Sequence, residues 1–206
     1  MRVMPLGKNE RIYTCSAYLV RGDWNRLEDI NALVDVGSDA FVLDEVRRMS
    51  TGFGKVPVDA VVLTHNHFDH AEGAIAVKAA TGARVYAMSP GPGVDEVLKD
   101  GQRLRLGDQL FEVIHTPGHS DDSVCLYCEA ERVLFSGDTP VRVLVPGGSY
   151  SDGFVVALEK LARRQIRVIY PGHGDPITSH ASELLAMTLT NVRASSLALA
   201  DGQGLH

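Results

Sequence analysis

Three histidines and an aspartate fall within six residues, His65-Asn-His67-Phe-Asp69-His70, directly after the apolar run 58–64. A nearly continuous apolar run of that length reads as a strand buried on both faces. If the chain stays extended past Thr64, His65 and His67 project to one side, where two imidazoles can grip one ion. Asp69 and His70 stand at the onset of the next helix and can offer a carboxylate and an imidazole to a second ion. Taken alone, Asp69 reads as an N-cap, with Glu72 three positions on as in a capping box. The cluster outweighs that reading, because crowded imidazoles without a shared ligand leave buried polar groups short of partners.

Three further strand ends repeat the context. Thr116-Pro-Gly-His119 follows a strand ending at His115, Ser136-Gly-Asp138 follows one ending at Phe135, and Pro171-Gly-His173 follows one ending at Tyr170. Each places one ligand-type side chain in a turn whose glycine lets backbone and ion approach closely. Sites in layered α/β folds form at strand ends along one sheet edge. Five histidines and two aspartates are thereby expected to converge: His65, His67, Asp69, His70, His119, Asp138 and His173. That set suits two divalent ions with room left for water.

Elsewhere the patterning predicts strands over 12–20, 31–36, 84–88, 124–128, 132–136 and 167–170. It predicts a hairpin of 102–106 with 109–115 about Gly107-Asp108. Helices are expected over 39–49, 71–80 (closing at Gly82), 152–164 and 179–200. Residues 90–99 read as a loop with a short helix, and 140–153 as an exposed loop. The alternation implies mixed sheets covered by helices, a layered α/β architecture.

The 206 residues are expected to form one domain, 1–206. The formal charge of −6 excludes the electrostatic footprint of a nucleic-acid binder and the polybasic pull toward an anionic membrane. No apolar stretch is long enough to span a bilayer and the first residues carry no signal-peptide pattern, so the cytoplasm is the expected compartment. Cys125 and Cys128 form a nominal C-x-x-C, but residues three apart on a strand face opposite ways, so they read as separate buried thiols. His115, His180 and His206 read as structural or solvated.

Together the segment 65–70, Thr116-Pro-Gly-His119-Ser, Ser136-Gly-Asp138-Thr and Pro171-Gly-His173-Gly resemble the metallo-β-lactamase superfamily of metal-dependent hydrolases. The order is the family's, and the likeness runs from about residue 12 to 180. The resemblance implies a four-layer αββα sandwich of two mixed β-sheets flanked by helices, with metals at one edge. It implies that His65, His67 and His119 hold a first metal, that Asp69, His70 and His173 hold a second, and that Asp138 bridges them. The family binds zinc most often, and iron or manganese in some branches; imidazole and carboxylate suit several metals.

By the same likeness, a hydroxide held between the metals would attack the carbonyl of a small-molecule thioester, ester or lactone, with Asp69 as the catalytic residue that orients it. Phe68 can line the mouth of the site, and Tyr150 is a candidate donor or substrate contact. The likeness to glyoxalase-II-type enzymes is confined to the core motifs, since one long helix is all that is expected after His173. The same motifs also fit a sulfur (persulfide) dioxygenase with one iron, and a non-catalytic metal-binding module on the same fold.

Overall fold

The computed structural model describes residues 1–202, with side chains through Ser195. His206 lies outside the described residues. Six strands form the first sheet: β1 (Arg2–Pro5), β2 (Tyr18–Arg21), β3 (Ala32–Val34), β4 (Ala60–Val62), β5 (Arg84–Ala87) and β6 (Glu96–Val97), in that order. The first two pairings are antiparallel and the rest parallel. The second sheet holds β7 (Arg103–Leu106), β8 (Gln109–His115), β9 (Val124–Cys128), β10 (Val133–Gly137) and β11 (Val168–Pro171), ordered β11-β10-β9-β8-β7, with only β10 and β11 parallel.

Alternation along the strands sorts side chains into three buried layers. From the first sheet, Leu19, Leu33 and Val61 face α1 (Phe41–Arg47) and α3 (Ala74–Thr81), meeting Val42, Val46 and Val77. Their neighbours Val20, Val34 and Val62 turn the other way, onto Phe111, Leu126 and Phe135 of the second sheet. The far face of that sheet, with Ile114, Leu134 and Ile169, packs on Phe154 and Leu158 of α4 (Asp152–Ala162) and on Leu185 and Val192 of α5 (Ala181–Gly202). The four layers run helix, sheet, sheet, helix, as the resemblance implied. Each of these fully buried side chains contributes roughly 1.5–3 kcal/mol.

Cys128 sits in the inter-sheet layer and Cys125 in the helix-side layer; both are free, so the C-x-x-C is split across β9 as expected. Gly82 closes α3 in the left-handed conformation, with φ 74°. No described helix is long and apolar enough to cross a membrane.

Two expectations are corrected, and one strand had no expected counterpart. The strand expected over 12–20 begins only at Tyr18, because the backbone N–H groups of Cys15 and Ser16 bond Asp69 and Gly172, in turns outside the sheet, instead of a ladder neighbour. The short helix expected in 90–99 is replaced by β6, where Asp95 and Leu98 donate to Val85 and Ala87 beyond a Pro/Gly-rich turn. Strand β1 had no predicted counterpart; its four residues are too few to show a period.

Candidate metal centre

Strand β4 ends at Val62; two residues on, past Thr64, come His65 and then His67, whose extended backbone (ψ 147°) takes the N-cap position of the one-turn helix α2 (Phe68–Ala71). His67 makes no side-chain cap bond, and Asp69 lies inside the helix. The capping reading of Asp69 is therefore overturned: its Oδ2 lies 3.1 Å from His173 Nε2, across the site.

Among the described residues three groups of ligand-type atoms form, each gathered within 4.8 Å; one, Cys15 with Asp35 and His70, is wholly buried, and the other two hold the expected residues. In the first, His67 Nδ1 lies 3.1 Å from His65 Nε2 and 2.9 Å from His119 Nε2. In the second, Asp69, His70, Asp138 and His173 converge. Asp138 joins the two: its Oδ2 is 3.5 Å from His119 Nε2 and 3.4 Å from His173 Nε2, while its Oδ1 is 3.3 Å from His70 Nε2. All seven residues expected from the sequence thus meet at one edge of the paired sheets. His65, Asp69 and His70 form the buried floor, and His67 and His119 the exposed rim.

The floor is oriented from behind by residues that sequence reasoning missed. Asp35, just past β3, accepts the backbone N–H of Thr64 at 2.7 Å and its hydroxyl at 2.8 Å. It also lies 2.8 Å from His70 Nδ1, and a carboxylate can only accept there, so Nδ1 carries the hydrogen and Nε2 faces Asp138. The Thr64 hydroxyl, its own hydrogen committed to Asp35, lies 3.2 Å from His65 Nδ1 and accepts from it. His65 Nε2 is thereby left free toward His67 and His119. Such outer partners fix tautomer and ring orientation at metal sites. The signal was present: Asp35-Val-Gly37 is another acid and glycine just past an apolar strand.

Asp122 braces the rim. Its Oδ2 accepts the Asn66 backbone N–H at 3.0 Å and the Ser89 hydroxyl at 3.1 Å, while Oδ1 accepts the Ser120 hydroxyl at 2.7 Å. One carboxylate so ties the turn carrying His67 to the turn carrying His119.

The electrostatics follow from this packing. Burial, reinforced by the neighbouring His70 charge, pushes His65 down to about 4. Burial also works against charge on His70, but the adjoining Asp35 and Asp138 override it and raise its pKa. Burial opposes the charged form of Asp138 too, yet contact with His70 holds it at about 2.

The residues fit divalent ions. His70 Nε2 and Asp138 Oδ1 are buried without a hydrogen-bond partner, although they face each other at 3.3 Å. Such orphans cost free energy unless a cation accepts their lone pairs. A cleft of about 370 Å³ opens beside them, reached by His119, Asp138, Arg142 and His173.

The sequence profile of the metallo-β-lactamase superfamily matches residues 11–91 and 88–173. The chain belongs to this superfamily. Among relatives, a hydroxyacylglutathione hydrolase from Methylobacterium sp. (strain 4-46) is 46% identical over 83 residues, 38% of this chain and 32% of that protein. An atrochrysone carboxyl ACP thioesterase from Aspergillus fumigatus is 30% identical over 202 residues, 87% of this chain and 47% of that protein. The chain thus spans about a third to a half of the length of these relatives. Among solved structures, ETHE1 from Myxococcus xanthus superposes with a TM-score of 0.67 at 21% identity, covering 93% of this chain and 91% of that one. It shares the superfamily fold.

His115, His180 and Tyr150 make their contacts outside the two ligand groups. His115 Nε2 bonds the Asp121 carbonyl at 2.7 Å. His180 is exposed, with φ 54° and Glu183 3.9 Å away. Tyr150 stacks on Phe154 in the helix-side layer. Phe68 is exposed, its ring centroid 6.2 Å from that of Tyr13.

Proposed function

We propose that the chain is a dinuclear metal-dependent hydrolase of a small-molecule thioester, ester or lactone. The observation that carries this reading is Asp138, whose carboxylate faces the three-histidine group through His119 and the Asp69/His70/His173 group through His70 and His173. His65, His67 and His119 would hold one ion, Asp69, His70 and His173 the other, and Asp138 both. Divalent ions, zinc being the expected pair, would supply a nucleophile from water at neutral pH and polarise the carbonyl.

The protein's own groups do the rest. Asp69 orients the attacking water beside His173. Asp35 and Thr64 hold the His70 and His65 rings so that no reorganisation is needed during reaction. The buried floor keeps bulk water away from one side. Thioesters are favoured among the three bond types, because one relative is named a thioesterase and another a hydroxyacylglutathione hydrolase.

The test is hydrolysis of an acyl-thioester panel by the zinc-loaded protein, with Asp138→Ala as control. The proposal expects turnover by the parent and loss of about 10²-fold or more in the variant, the scale of removing one electrostatic stabiliser. No turnover of thioesters, esters or lactones by a protein carrying two ions would contradict it.

A further inference from the structure

The β1–β2 connection brings one more polar group to the centre. Tyr13 Oη lies 3.5 Å from His173 Nε2, and its ring stacks on the imidazole at a centroid distance of 5.3 Å and 21° between planes. The residue is 66% exposed and lies against His173 of the second ligand group. Its backbone is held firmly. The Ser38 hydroxyl donates to the Tyr13 carbonyl at 2.6 Å, and Ser38 N–H to the Thr14 hydroxyl at 3.1 Å. Cys15 N–H then bonds Asp69 O at 3.0 Å, and Ser16 N–H bonds Gly172 O at 2.6 Å. The segment is therefore tied to two of the turns that carry the ligand residues, Asp69 and His173.

His173 Nε2 is also the atom that faces Asp69 and Asp138. It has one lone pair. Were His173 to hold a cation here, that lone pair would be committed to the ion and Nε2 would no longer serve as the phenol's hydrogen-bond partner. Among the described residues Tyr13 Oη has no other hydrogen-bond partner. The freed donor then stands beside the side of the site where a bound carbonyl would react.

We propose that Tyr13 is a catalytic residue, its hydroxyl donating a hydrogen bond to the carbonyl oxygen of the substrate as that oxygen gains negative charge. This assignment rests on the hydrolase reading above. The phenol keeps its proton throughout; what changes is the strength of the bond it donates, greatest when the oxygen is most negative. A donor of this kind acts on kcat more than on KM.

The experiment compares the zinc-loaded parent with Tyr13→Phe and with a protein carrying 3-fluorotyrosine at position 13, assayed where that phenol remains protonated. Zinc content is measured in each. The expected result is a kcat loss of about 100-fold for Tyr13→Phe, the lower end of what removing one oxyanion donor costs, with KM and zinc content within twofold. Fluorotyrosine, a nearly isosteric but stronger donor, is expected to change kcat measurably, whereas a tyrosine that only packs on His173 would leave it unmoved. If Tyr13→Phe keeps kcat within twofold, or its loss is matched by lost zinc, the assignment is overturned while the hydrolase reading stands. If the parent itself hydrolyses nothing, both are overturned.

Discussion

Asp35 and His70 are joined by a buried contact, Oδ2 to Nδ1 at 2.8 Å, behind the candidate metal centre. Asp35 sits in left-handed backbone with φ 57°, which asparagine also tolerates. Asp35→Asn should therefore keep the turn. Its single oxygen cannot accept from Thr64 N–H, Thr64 hydroxyl and His70 together. Affinity for the second divalent ion is expected to fall about 10- to 100-fold, as for other outer-sphere partners. Chelator competition during stepwise metal loading measures it. Unchanged affinity for both ions would remove Asp35 from the account.

Gly172 explains why no side chain can stand before His173. A Cβ there would lie 2.2 Å from Asp138 Oδ1 and 2.6 Å from His70 Cε1. Neither neighbour can give way without leaving the site. Gly172→Ala is expected to retain its fold by circular dichroism but to lose about 10²-fold or more in turnover, since displacements of about 1 Å cost that much. Parent-like turnover would mean that Asp138 and His70 need not hold the geometry described.

The rim brace has a pH signature. Burial pushes the Asp122 carboxyl up, but the hydroxyls of Ser120 and Ser89 and the Asn66 N–H outweigh it and hold its pKa below the usual carboxylate value. A native value below the unfolded one means that the stabilisation is complete above the unfolded value of about 3.9. It is lost as pH falls through the lower native value. Asp122→Asn, which lacks the second acceptor, should cost about 1 kcal/mol near neutrality, and the gap to the parent should close as pH drops below about 4. Urea unfolding of the metal-free proteins from pH 6 downward measures this. A gap that widens toward acid would reverse the sign and contradict the assignment.

Much of this was legible in the residues. His65, His67, Asp69, His70, His119, Asp138 and His173 announce themselves because ligand-type side chains recur in turns just past apolar strands, and the structure brings them together. The hairpin about Gly107 and the Gly82 helix end were equally local signals. What escaped was set by long-range partners. Residues 12–17 look like strand, yet the backbone N–H groups of Cys15 and Ser16 are taken up by the carbonyls of Asp69 and Gly172. Tyr13 reaches His173 across 160 positions of sequence. Asp122 looks like any turn acid until Asn66 arrives from another loop. Asp35 alone carried a readable sign, the acid and glycine after an apolar strand.

The central claim is that the two ligand groups hold two divalent ions joined by Asp138. Elemental analysis of the protein as purified, with neither metal nor chelator added, tests it most directly. About two divalent ions per chain are expected, zinc foremost, falling sharply in Asp138→Ala. A folded chain that carries no ion and takes none up would contradict it, and so would a single iron per chain with oxygen consumed on a persulfide.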